Sequence, residues 1–277
     1  MKVVVTGASG FLGSAVVAQL SETSAVVCPL TRGDASDAIH VSHYAEAPAG
    51  DVLIHLGESA ERAVAEGLAG AYERDARATL DALVAKPYRR VIYASSAALY
   101  GDLASTPRRP GDPIQTNDVY TRVKALGESA VLKHSGGVVV RLANLYGPKM
   151  SPGNVMSTIL RQIPGVGPLY VRDGTPVRDF LWVHDAAAAI ARMVFADASG
   201  IYNVGTGKGV SVSELAALAL RLAGEENRAV METQASGRFS QLVLDISATI
   251  ATWQWLPATD LGTGLTRLLG TRGHVDA

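Results

Sequence analysis

The sequence has little of several residue types that define particular classes of protein. It contains one cysteine, Cys28, in 277 residues, which excludes an internal disulfide and a metal site built from several cysteines. Aromatic residues make up 6% of the chain and the formal net charge is −1, so the basic excess of a nucleic-acid-binding surface is missing. No apolar run approaches the roughly 18 residues of a membrane helix. Because no basic-then-apolar signal precedes the first strand pattern, we expect a cytoplasmic protein with neither a membrane nor a nucleic-acid partner.

What the chain does have is enough apolar content, 48%, to bury a large core. Short apolar runs alternate with longer segments of helical spacing. The predicted strands are Lys2–Val5, Val26–Leu30, Val52–Leu56, Arg90–Ala94 and Val138–Leu142, and the predicted helices are Gly13–Ser21, Ala60–Ala85 and Tyr120–Lys133. This alternation predicts an α/β fold with a doubly wound parallel sheet of the Rossmann type.

The pattern changes after Asn144, where Pro and Gly break the chain into loops. Asp179–Phe195 then has the pattern of a short strand followed by an alanine-rich helix, and Val210–Gly224 that of another helix. We expect residues 1–145 and 178–206 to form the Rossmann domain, and residues 146–177 and 207–277 to form a small substrate-binding lobe. Trp253 and Trp255 are expected to pack within that lobe.

A glycine-rich turn follows the first predicted strand. Gly7, Gly10 and Gly13 are spaced three residues apart between a buried strand and an amphipathic helix. Gly7 suits a tight turn, Gly10 lets the main chain approach a pyrophosphate, and Gly13 lets helix pack on strand. The helix N-terminus offers free N–H groups to phosphates. In this context the turn predicts a dinucleotide-binding site.

A tyrosine and a lysine stand four residues apart, at Tyr120 and Lys124, and follow Ser96 by 24 residues. On a helix the two side chains share one face. A nearby ammonium makes the proton of a phenol easier to lose, and a hydroxyl can hold a carbonyl oxygen. Together these groups are suited to oxidation and reduction at carbon. A surface pair of this spacing is common by itself, and it is the glycine turn that favours a catalytic role.

Seven ordered blocks resemble the extended short-chain dehydrogenase/reductase superfamily of nucleotide-sugar epimerases, dehydratases and 4-ketoreductases. The blocks are Gly7–Gly13, Asp51–Leu56, Ser95–Gly101, Tyr120–Lys124, Arg141–Pro148, Arg178–Asp185 and Tyr202–Gly207. They cover nearly the whole chain, and the resemblance implies a nucleotide-sugar substrate and a homodimer.

The resemblance also implies residue roles. Tyr120 would exchange a proton with the substrate oxygen, Lys124 would assist its ionisation and bind the nicotinamide ribose, and Ser96, at its strand end, would hold the same oxygen. The residues expected to bind the cofactor are Gly7, Ser9, Gly10, Phe11, Leu12, Gly13, Thr31, Arg32, Leu56, Gly57, Ala94, Tyr120 and Lys124. Those expected to bind the substrate are Ser96, Asn144, Asn154, Arg178 and Arg238, and the two arginines suit a pyrophosphate.

The cofactor is predicted from the end of the second strand, where a carboxylate favours NAD and an arginine favours the 2′-phosphate of NADP. Arg32 stands there, and Thr31 and Ser9 offer hydroxyl contacts. We therefore expect NADP, with NAD left open because Asp34 follows two residues later. His55 and His184 lack the spacing of a metal pair, and we expect no metal.

The reaction is predicted from the two residues after Ser96. Sugar 4,6-dehydratases of this superfamily carry an Asp-Glu pair there, whereas this chain has Ala97 and Ala98, which disfavours dehydration. A 4-ketoreductase using NADPH is expected, with Arg32 in its favour. A 4-epimerase that keeps NAD bound is the alternative, and a non-catalytic NADP-binding regulator is a further one. The nucleotide, the sugar and the face of C4 that receives hydride are left open.

Overall fold

The computed structural model describes residues 1–58 and 62–272, and within them the chain forms alternating strands and helices. The strands are β1 (Lys2–Thr6), β2 (Val26–Thr31), β3 (Ile39–His40), β4 (Val52–His55), β5 (Arg90–Ser96), β6 (Gly137–Leu142), β7 (Asn144–Tyr146), β8 (Leu169–Val171), β9 (Val177–Trp182), β10 (Gly200–Val204), β11 (Gly209–Ser211), β12 (Val230–Glu232) and β13 (Gln241–Leu242). The α-helices are α1 (Phe11–Ser21), α2 (Arg62–Val84), α3 (Val119–Val131), α4 (Val155–Leu160), α5 (Val183–Val194), α6 (Val212–Leu222), α7 (Ser247–Trp253) and α8 (Leu261–Arg272).

Seven of the strands form a parallel sheet in the order β10-β6-β5-β4-β1-β2-β3. Side chains alternate between its faces, so that Val3 and Val5 join one core cluster while Val4 joins another. The first cluster is covered by α1 and α5, and the second by α2 and α3. The predicted doubly wound α/β fold is confirmed.

The predicted elements of the first half are present, with ends within two residues of those expected. β5 runs on to Ser96, two residues beyond its predicted end, and α1 begins at Phe11, two residues before its predicted start. The start predicted for α2, at Ala60, lies outside the described residues. The strand and helix expected over Asp179–Phe195 are β9 and α5, and the helix expected over Val210–Gly224 is α6, preceded by the short strand β11.

A second core lies beyond the sheet and is built from the excursions of the chain. α4, α6 and α8 pack around buried apolar residues that include Met156, Leu215 and Leu265. Short strands complete this region: β8 pairs with β12, and β9 pairs with β7, β11 and β13.

The prediction that Trp253 and Trp255 pack within the C-terminal lobe is wrong. Both are buried in the core of the sheet, and the ring of Trp253 meets that of Tyr202 on β10 edge to face, with centroids 5.0 Å apart. The apolar segment before them, from Leu242 to Ile246, contributes to the same core. This part of the C-terminal segment therefore packs on the Rossmann side of the boundary that we proposed.

The carboxyl ends of the parallel strands meet along one edge of the sheet, which is where such folds place ligands. β1 pairs with β2 on one side and with β4 on the other, so the chain reverses direction across the sheet at β1. Among the described residues, no helix combines the length and the apolar character needed to cross a bilayer.

Candidate active site

The first of two neighbouring clefts lies at the edge where the strand order reverses. It has a volume of about 630 Å³. Its lining comes from the glycine turn, from the ends of β4, β5 and β6, from α3 and from the loop before α4, as Gly7, Gly10, Phe11, Leu12, Gly13, Leu56, Glu58, Ala94, Ser95, Ser96, Tyr120, Lys124, Leu142, Ala143, Asn144, Leu145, Lys149, Ser151 and Asn154. The predicted cofactor residues from the glycine turn, Leu56, Ala94, Tyr120 and Lys124 are therefore brought together here.

The glycine turn has the geometry of a dinucleotide cradle. Gly7 has φ +69°, which favours glycine, and a Cβ on Gly13 would lie 2.0 Å from the carbonyl oxygen of Gly7. The tight turn brings the N-terminus of α1 to the cleft, where its N–H groups and dipole favour a phosphate. Its N-cap residue is Gly10, which has no side chain to occupy these N–H groups. The residues present therefore fit the pyrophosphate of a dinucleotide.

Four predicted cofactor residues lie together outside this lining, beyond the ends of β1, β2 and β4. The hydroxyls of Ser9 and Thr31 are 2.6 Å apart. Arg32 donates to the carbonyl oxygen of Gly57 at 3.4 Å and lies over the ring of Tyr44, 4.9 Å from its centroid. Arg32 is exposed whereas Thr31 is buried. An exposed guanidinium, on Arg32, and an exposed hydroxyl, on Ser9, thus follow the ends of β2 and β1, where the adenosine ribose of a dinucleotide would end.

Tyr120 and Lys124 project from the first two turns of α3. The helix begins after Asp118, whose side chain accepts the N–H of Thr121 at 2.7 Å while Thr121 donates its hydroxyl back to Asp118. This cap fixes where α3 starts. Tyr120 is half-buried and Lys124 is buried. Both line the cleft beside Ser96, so the three predicted catalytic residues meet at one place.

Ser95 and Ser96 both line the first cleft, but of the two only Ser96 also lines the second. Ser95 is 3% exposed and donates to Glu128 Oε1 at 2.5 Å. Ser96 is half-buried, and its hydroxyl accepts the N–H of Ala98 at 3.2 Å at the start of a short 3₁₀ turn. Because that contact uses the oxygen as acceptor, the O–H of Ser96 is oriented by the turn and is suited to donate to a substrate oxygen.

Lys124 does not stand alone. Its ammonium donates to the carbonyl oxygen of Ala94 and to Glu58 Oε2, both at 2.8 Å. Burial is the largest single effect and disfavours the ammonium, but Glu58, through its charge and its hydrogen bond, acts together with Tyr120 and Tyr72 to raise the pKa of Lys124 overall. Glu58 was missed from the sequence, because one carboxylate after an apolar run forms no motif. Its position three residues after His55, at the end of β4, was the only signal.

The second cleft adjoins the first and has a volume of about 650 Å³. Its lining joins the loop after β5 to the start of α3 and to β9 and β13, as Ser96, Ala98, Gly101, Asp102, Leu103, Gln115, Asn117, Asp118, Tyr120, Thr121, Asn144, Arg178, Arg238 and Leu242. Three residues, Ser96, Tyr120 and Asn144, line both clefts.

The two predicted arginines of the second cleft converge on Asp102. Arg178 Nη2 lies 3.2 Å from Asp102 Oδ2, and Arg238 makes a two-pronged contact with the same carboxylate at 3.1 and 2.8 Å. Ser240 donates to it as well, at 2.5 Å. Partial burial works to raise the pKa of Asp102, but the hydroxyl and the two guanidinium groups lower it overall. Asp102 was also missed from the sequence.

The remaining residues singled out from the sequence lie apart from one another. Asn154 lines the first cleft instead of the second, and its side chain caps α4 by accepting the N–H of Ser157 at 2.8 Å. His55 is buried and bonds Thr6 through Nδ1 at 2.7 Å. Within the described residues there is no group of three His, Cys, Asp or Glu side chains that could hold a metal ion.

Comparison with known proteins gives these clefts a family context. Residues 3–205 match the profile of Epimerase, the NAD dependent epimerase/dehydratase family. A Methanocaldococcus jannaschii protein provisionally named UDP-glucose 4-epimerase is 26% identical over 302 aligned positions, which cover 96% of this chain and 97% of that protein. The dTDP-glucose 4,6-dehydratase of an Actinoplanes species is 25% identical, with coverage of 96% and 95%. The solved structure of the Thermotoga maritima UDP-glucose 4-epimerase with UDP-glucose superimposes over 100% of both chains with a TM-score of 0.85 and 22% identity.

Proposed function

Because this chain belongs to the NAD dependent epimerase/dehydratase family, we propose that it reduces the 4-keto group of a sugar or deoxysugar nucleotide, with NADPH as the hydride source and Tyr120 as the proton donor. Family membership carries the broader statement, that the chain is an enzyme of the extended short-chain dehydrogenase/reductase type. The choice of reaction, cofactor and substrate within the family is the proposal.

The observation that carries the proposal is the junction of the two clefts. Ser96, Tyr120 and Asn144 line both of them. A nicotinamide in the first cleft and a sugar in the second would therefore meet beside the Tyr120 hydroxyl. Hydride transfer requires such close contact between donor and acceptor carbons, and a pre-formed junction supplies it.

The residues of this chain would handle the proton and the oxygen of the reaction. When bound, the nicotinamide cofactor supplies the hydride that the carbonyl carbon accepts. Tyr120 gives its phenolic proton to the carbonyl oxygen as the C=O double bond becomes a C–O–H group, and the phenolate then regains a proton from solvent. Ser96 holds the same oxygen through its O–H. Such positioned proton transfer contributes about 10²- to 10⁴-fold to rate.

Arg32 supports the preference for NADP. It directly follows β2 and is exposed, and the hydroxyl of Thr31 before it lies 2.6 Å from the Ser9 hydroxyl. A guanidinium suits a 2′-phosphate because it presents several N–H donors in a fixed plane. No carboxylate side chain directly follows β2 before Asp34.

Arg178 and Arg238 support a substrate that carries an anionic group. Both guanidinium groups reach the second cleft, and both already contact Asp102. A pyrophosphate there would bring two negative charges to two arginines that share one carboxylate, so binding would rearrange this contact. We propose that the nucleotide end of the substrate lies at this end of the cleft.

The two residues after Ser96 disfavour dehydration. Ala97 is buried and Ala98 lines the second cleft, and a methyl group supplies neither the acid nor the base that removal of water needs. The alternative is a 4-epimerase, for which NAD stays bound and the hydride returns to the other face of C4. The epimerases among the similar proteins support this alternative comparably.

A non-catalytic NADP-binding regulator is a further alternative from another class of function. Tyr120 and Lys124 are both present at the cleft, and a binding module has no need of them. Their joint presence favours the enzyme.

Mass spectrometry of the small molecules released on denaturing the purified protein separates the two enzymes. A ketoreductase must exchange its cofactor in every turnover, so we expect empty sites, and an apoprotein that binds NADPH at least about tenfold more tightly than NADH. Stoichiometric NAD in the released fraction would favour the epimerase and overturn the NADP preference.

We also propose a homodimer that works in the cytoplasm. The resemblance places the dimer contact on α2 and α3. A shallow groove between these helices is lined by charged residues of α2 around Ala78 and by Leu126 of α3, which suits a mixed polar and apolar contact.

A further inference from the structure

Glu58 is a buried carboxylate in the wall of the first cleft that the proposed reaction does not use. Its side chain is 6% exposed. One oxygen, Oε2, accepts hydrogen bonds from Lys124 Nζ at 2.8 Å and from the Tyr93 hydroxyl at 2.6 Å. A carboxylate is rarely buried without a reason, because its desolvation is costly unless a partner compensates it.

The other oxygen of Glu58 has no comparable partner. Oε1 is buried and makes no hydrogen bond within the described part of the chain. His55 Nε2 lies 3.9 Å away. Burial, only partly opposed by Glu58 and assisted by the charges of Lys124 and Arg32, lowers the pKa of His55 to about 4. His55 is therefore neutral near pH 7, and Lys124 is the cation that balances Glu58.

The phenol that contacts Glu58 directly is that of Tyr93, which donates its hydroxyl to Oε2. Burial, the charge of Glu58 and their hydrogen bond raise the pKa of Tyr93 well above its ordinary value. Tyr72 on α2 faces Lys124 and acts on it more weakly than Glu58 does.

The other nearby carboxylate is already matched. Glu128 on α3 faces Tyr93, but it forms a two-pronged contact with Arg141 at 2.8 and 2.7 Å and accepts the hydroxyl of Ser95. Asp118 lies at the start of α3 and accepts the N–H of Thr121. Among the residues that the structure describes, Glu58 is therefore the carboxylate in contact with the lysine.

Tyr120 lies within the field of this charge pair. Lys124 Nζ is 5.8 Å from the centroid of the Tyr120 ring. An unpaired ammonium near a phenol favours the phenolate, because opposite charges attract. With Glu58 2.8 Å from the same nitrogen, the negative charge cancels much of that effect.

We propose that Glu58 is a positioning residue that fixes Lys124 against the Ala94 carbonyl and offsets its charge, so that Tyr120 keeps its proton and the site is set for proton donation. This inference rests on the proposed function, because a proton-bearing tyrosine serves reduction of a carbonyl. Oxidation of an alcohol, the first half of an epimerase cycle, needs the phenolate as base. Glu58 thus favours the reductive direction of the chemistry that Tyr120 and Lys124 share.

The first test needs no substrate. The ultraviolet absorbance of tyrosinate is titrated against pH in the wild type and in Tyr120→Phe. The difference between the two curves reports the ionisation that depends on Tyr120. The same difference is measured in a Glu58→Gln background, as Glu58→Gln minus Glu58→Gln/Tyr120→Phe. We expect this tyrosinate to appear about one pH unit lower when Glu58 is neutral. Equal titration curves in the two backgrounds would overturn the proposal.

A further variant, Tyr93→Phe, distinguishes the loss of the Glu58 charge from a loosening of the packing around Glu58. Tyr93→Phe removes the second hydrogen bond to Glu58 but keeps the charge, so the Tyr120-dependent curve is expected to stay in place. A displacement as large as that of Glu58→Gln would mean that loosening is the cause. If Glu58→Gln does not fold, Glu58→Ala replaces it, because removing the side chain from the cleft wall admits water to the Lys124 ammonium.

Kinetics give the second readout. With NADPH and a 4-keto-6-deoxy sugar nucleotide, the alkaline limb of the pH profile of reduction should move down by about one unit in Glu58→Gln, and oxidation of the alcohol at neutral pH should accelerate. If the wild type turns over but the alkaline limb of the pH profile is the same in Glu58→Gln, the role of Glu58 is overturned and the proposed function stands. Absence of turnover in the wild type, with the ultraviolet displacement present, overturns the proposed function and leaves the effect of Glu58 on Tyr120 standing.

Discussion

Tyr120 is the residue on which both halves of the proposed site depend, because it lines the first cleft and the second. Its neighbours divide the remaining work. Ser96 is oriented by the N–H of Ala98, and Lys124 is held by a carbonyl and a carboxylate. These contacts hold the Ser96 hydroxyl and the Lys124 ammonium in place beside Tyr120.

Replacing Tyr120 with Phe removes the proton donor and little volume. We expect kcat for keto-sugar reduction to fall about 10²- to 10⁴-fold, while NADPH affinity changes less than about threefold. Steady-state kinetics and fluorescence titration with NADPH measure the two quantities. Tyr72→Phe is the matched control, because Tyr72, which is on α2, packs beside Tyr120 and lines neither cleft. Similar losses in both variants would contradict the role of Tyr120.

Residues that belong to a spaced pattern were predictable from the sequence, and isolated ones were not. Tyr120 and Lys124 share a helix face, and Ser96 ends a strand, so local structure alone brings them to the sheet edge. Glu58 and Asp102 follow strands as single carboxylates. Glu58 pairs with Lys124, 66 positions away, and Asp102 pairs with Arg238, 136 positions away. Contacts between residues so far apart in sequence are visible only in the folded structure.

At the scale of elements, the turn between β1 and α1 is the best-determined part of the site. Gly7 takes a left-handed conformation, and Gly13 packs against its carbonyl oxygen at a distance that leaves no room for a side chain. The strand, the turn and the helix therefore set the cradle together. The same sequence features that predict the turn also explain its geometry.

Gly13→Ala tests that geometry. The added Cβ would lie 2.0 Å from the Gly7 carbonyl oxygen, so the turn must shift; we expect the free energy of unfolding to fall by about 2 kcal/mol or more and NADPH binding to be lost. Gly67→Ala in α2 is the control, since its Cβ meets nothing within 4 Å and alanine is the better helix former, by up to about 1 kcal/mol. Retained NADPH affinity in Gly13→Ala, measured by titration, would contradict the cradle.

Asp102 links the loop after β5 to β9 and to the segment before β13, which makes its charge a stability determinant. Its folded pKa is lowered, so the stabilisation is present above the unfolded-state pKa and is lost as pH falls through the folded-state value. We expect Asp102→Asn to reduce the free energy of unfolding by about 1 kcal/mol at neutral pH. Urea unfolding should show this difference shrink towards zero below about pH 3. A difference that does not depend on pH would refute the ionic origin.

The long, periodic elements were predictable, whereas the short strands were not. β1, β4, β5 and β6 are apolar runs buried on both faces of the sheet, and their composition alone identifies them. β8, β11, β12 and β13 have two or three residues each. Such short pairings carry no periodic signal, and they form because the surrounding packing brings the segments together.

At the scale of the whole molecule, the chain returns to the sheet after it has built the second core. Trp253 and Trp255 are buried against the sheet, and the segment before them supplies one wall of the second cleft through Arg238 and Leu242. The second cleft is therefore made by parts of the chain that are far apart in sequence, from Ser96 to Leu242, which explains why its residues were predicted singly and its shape not at all.

The proposed dimer is tested by Leu126→Glu, which places a charge in the groove between α2 and α3. Since burying an unpaired carboxylate is costly, we expect light scattering to report twice the chain mass for the wild type and a single chain mass for the variant at the same concentration. Leu222→Glu on α6 is the control because Leu222 is 39% exposed and lies in the second core region, and it should stay dimeric. A monomeric wild type would refute the dimer.

The central claim is tested most directly by following NADPH absorbance with a panel of 4-keto-6-deoxy sugar nucleotides that differ in their base. We predict that the wild type oxidises one equivalent of NADPH for each alcohol formed from at least one member of the panel, and that Tyr120→Phe is at least about 100-fold slower. The contradicting result is no consumption of NADPH or NADH with any member, together with interconversion of C4-epimeric sugar nucleotides by protein that retains NAD.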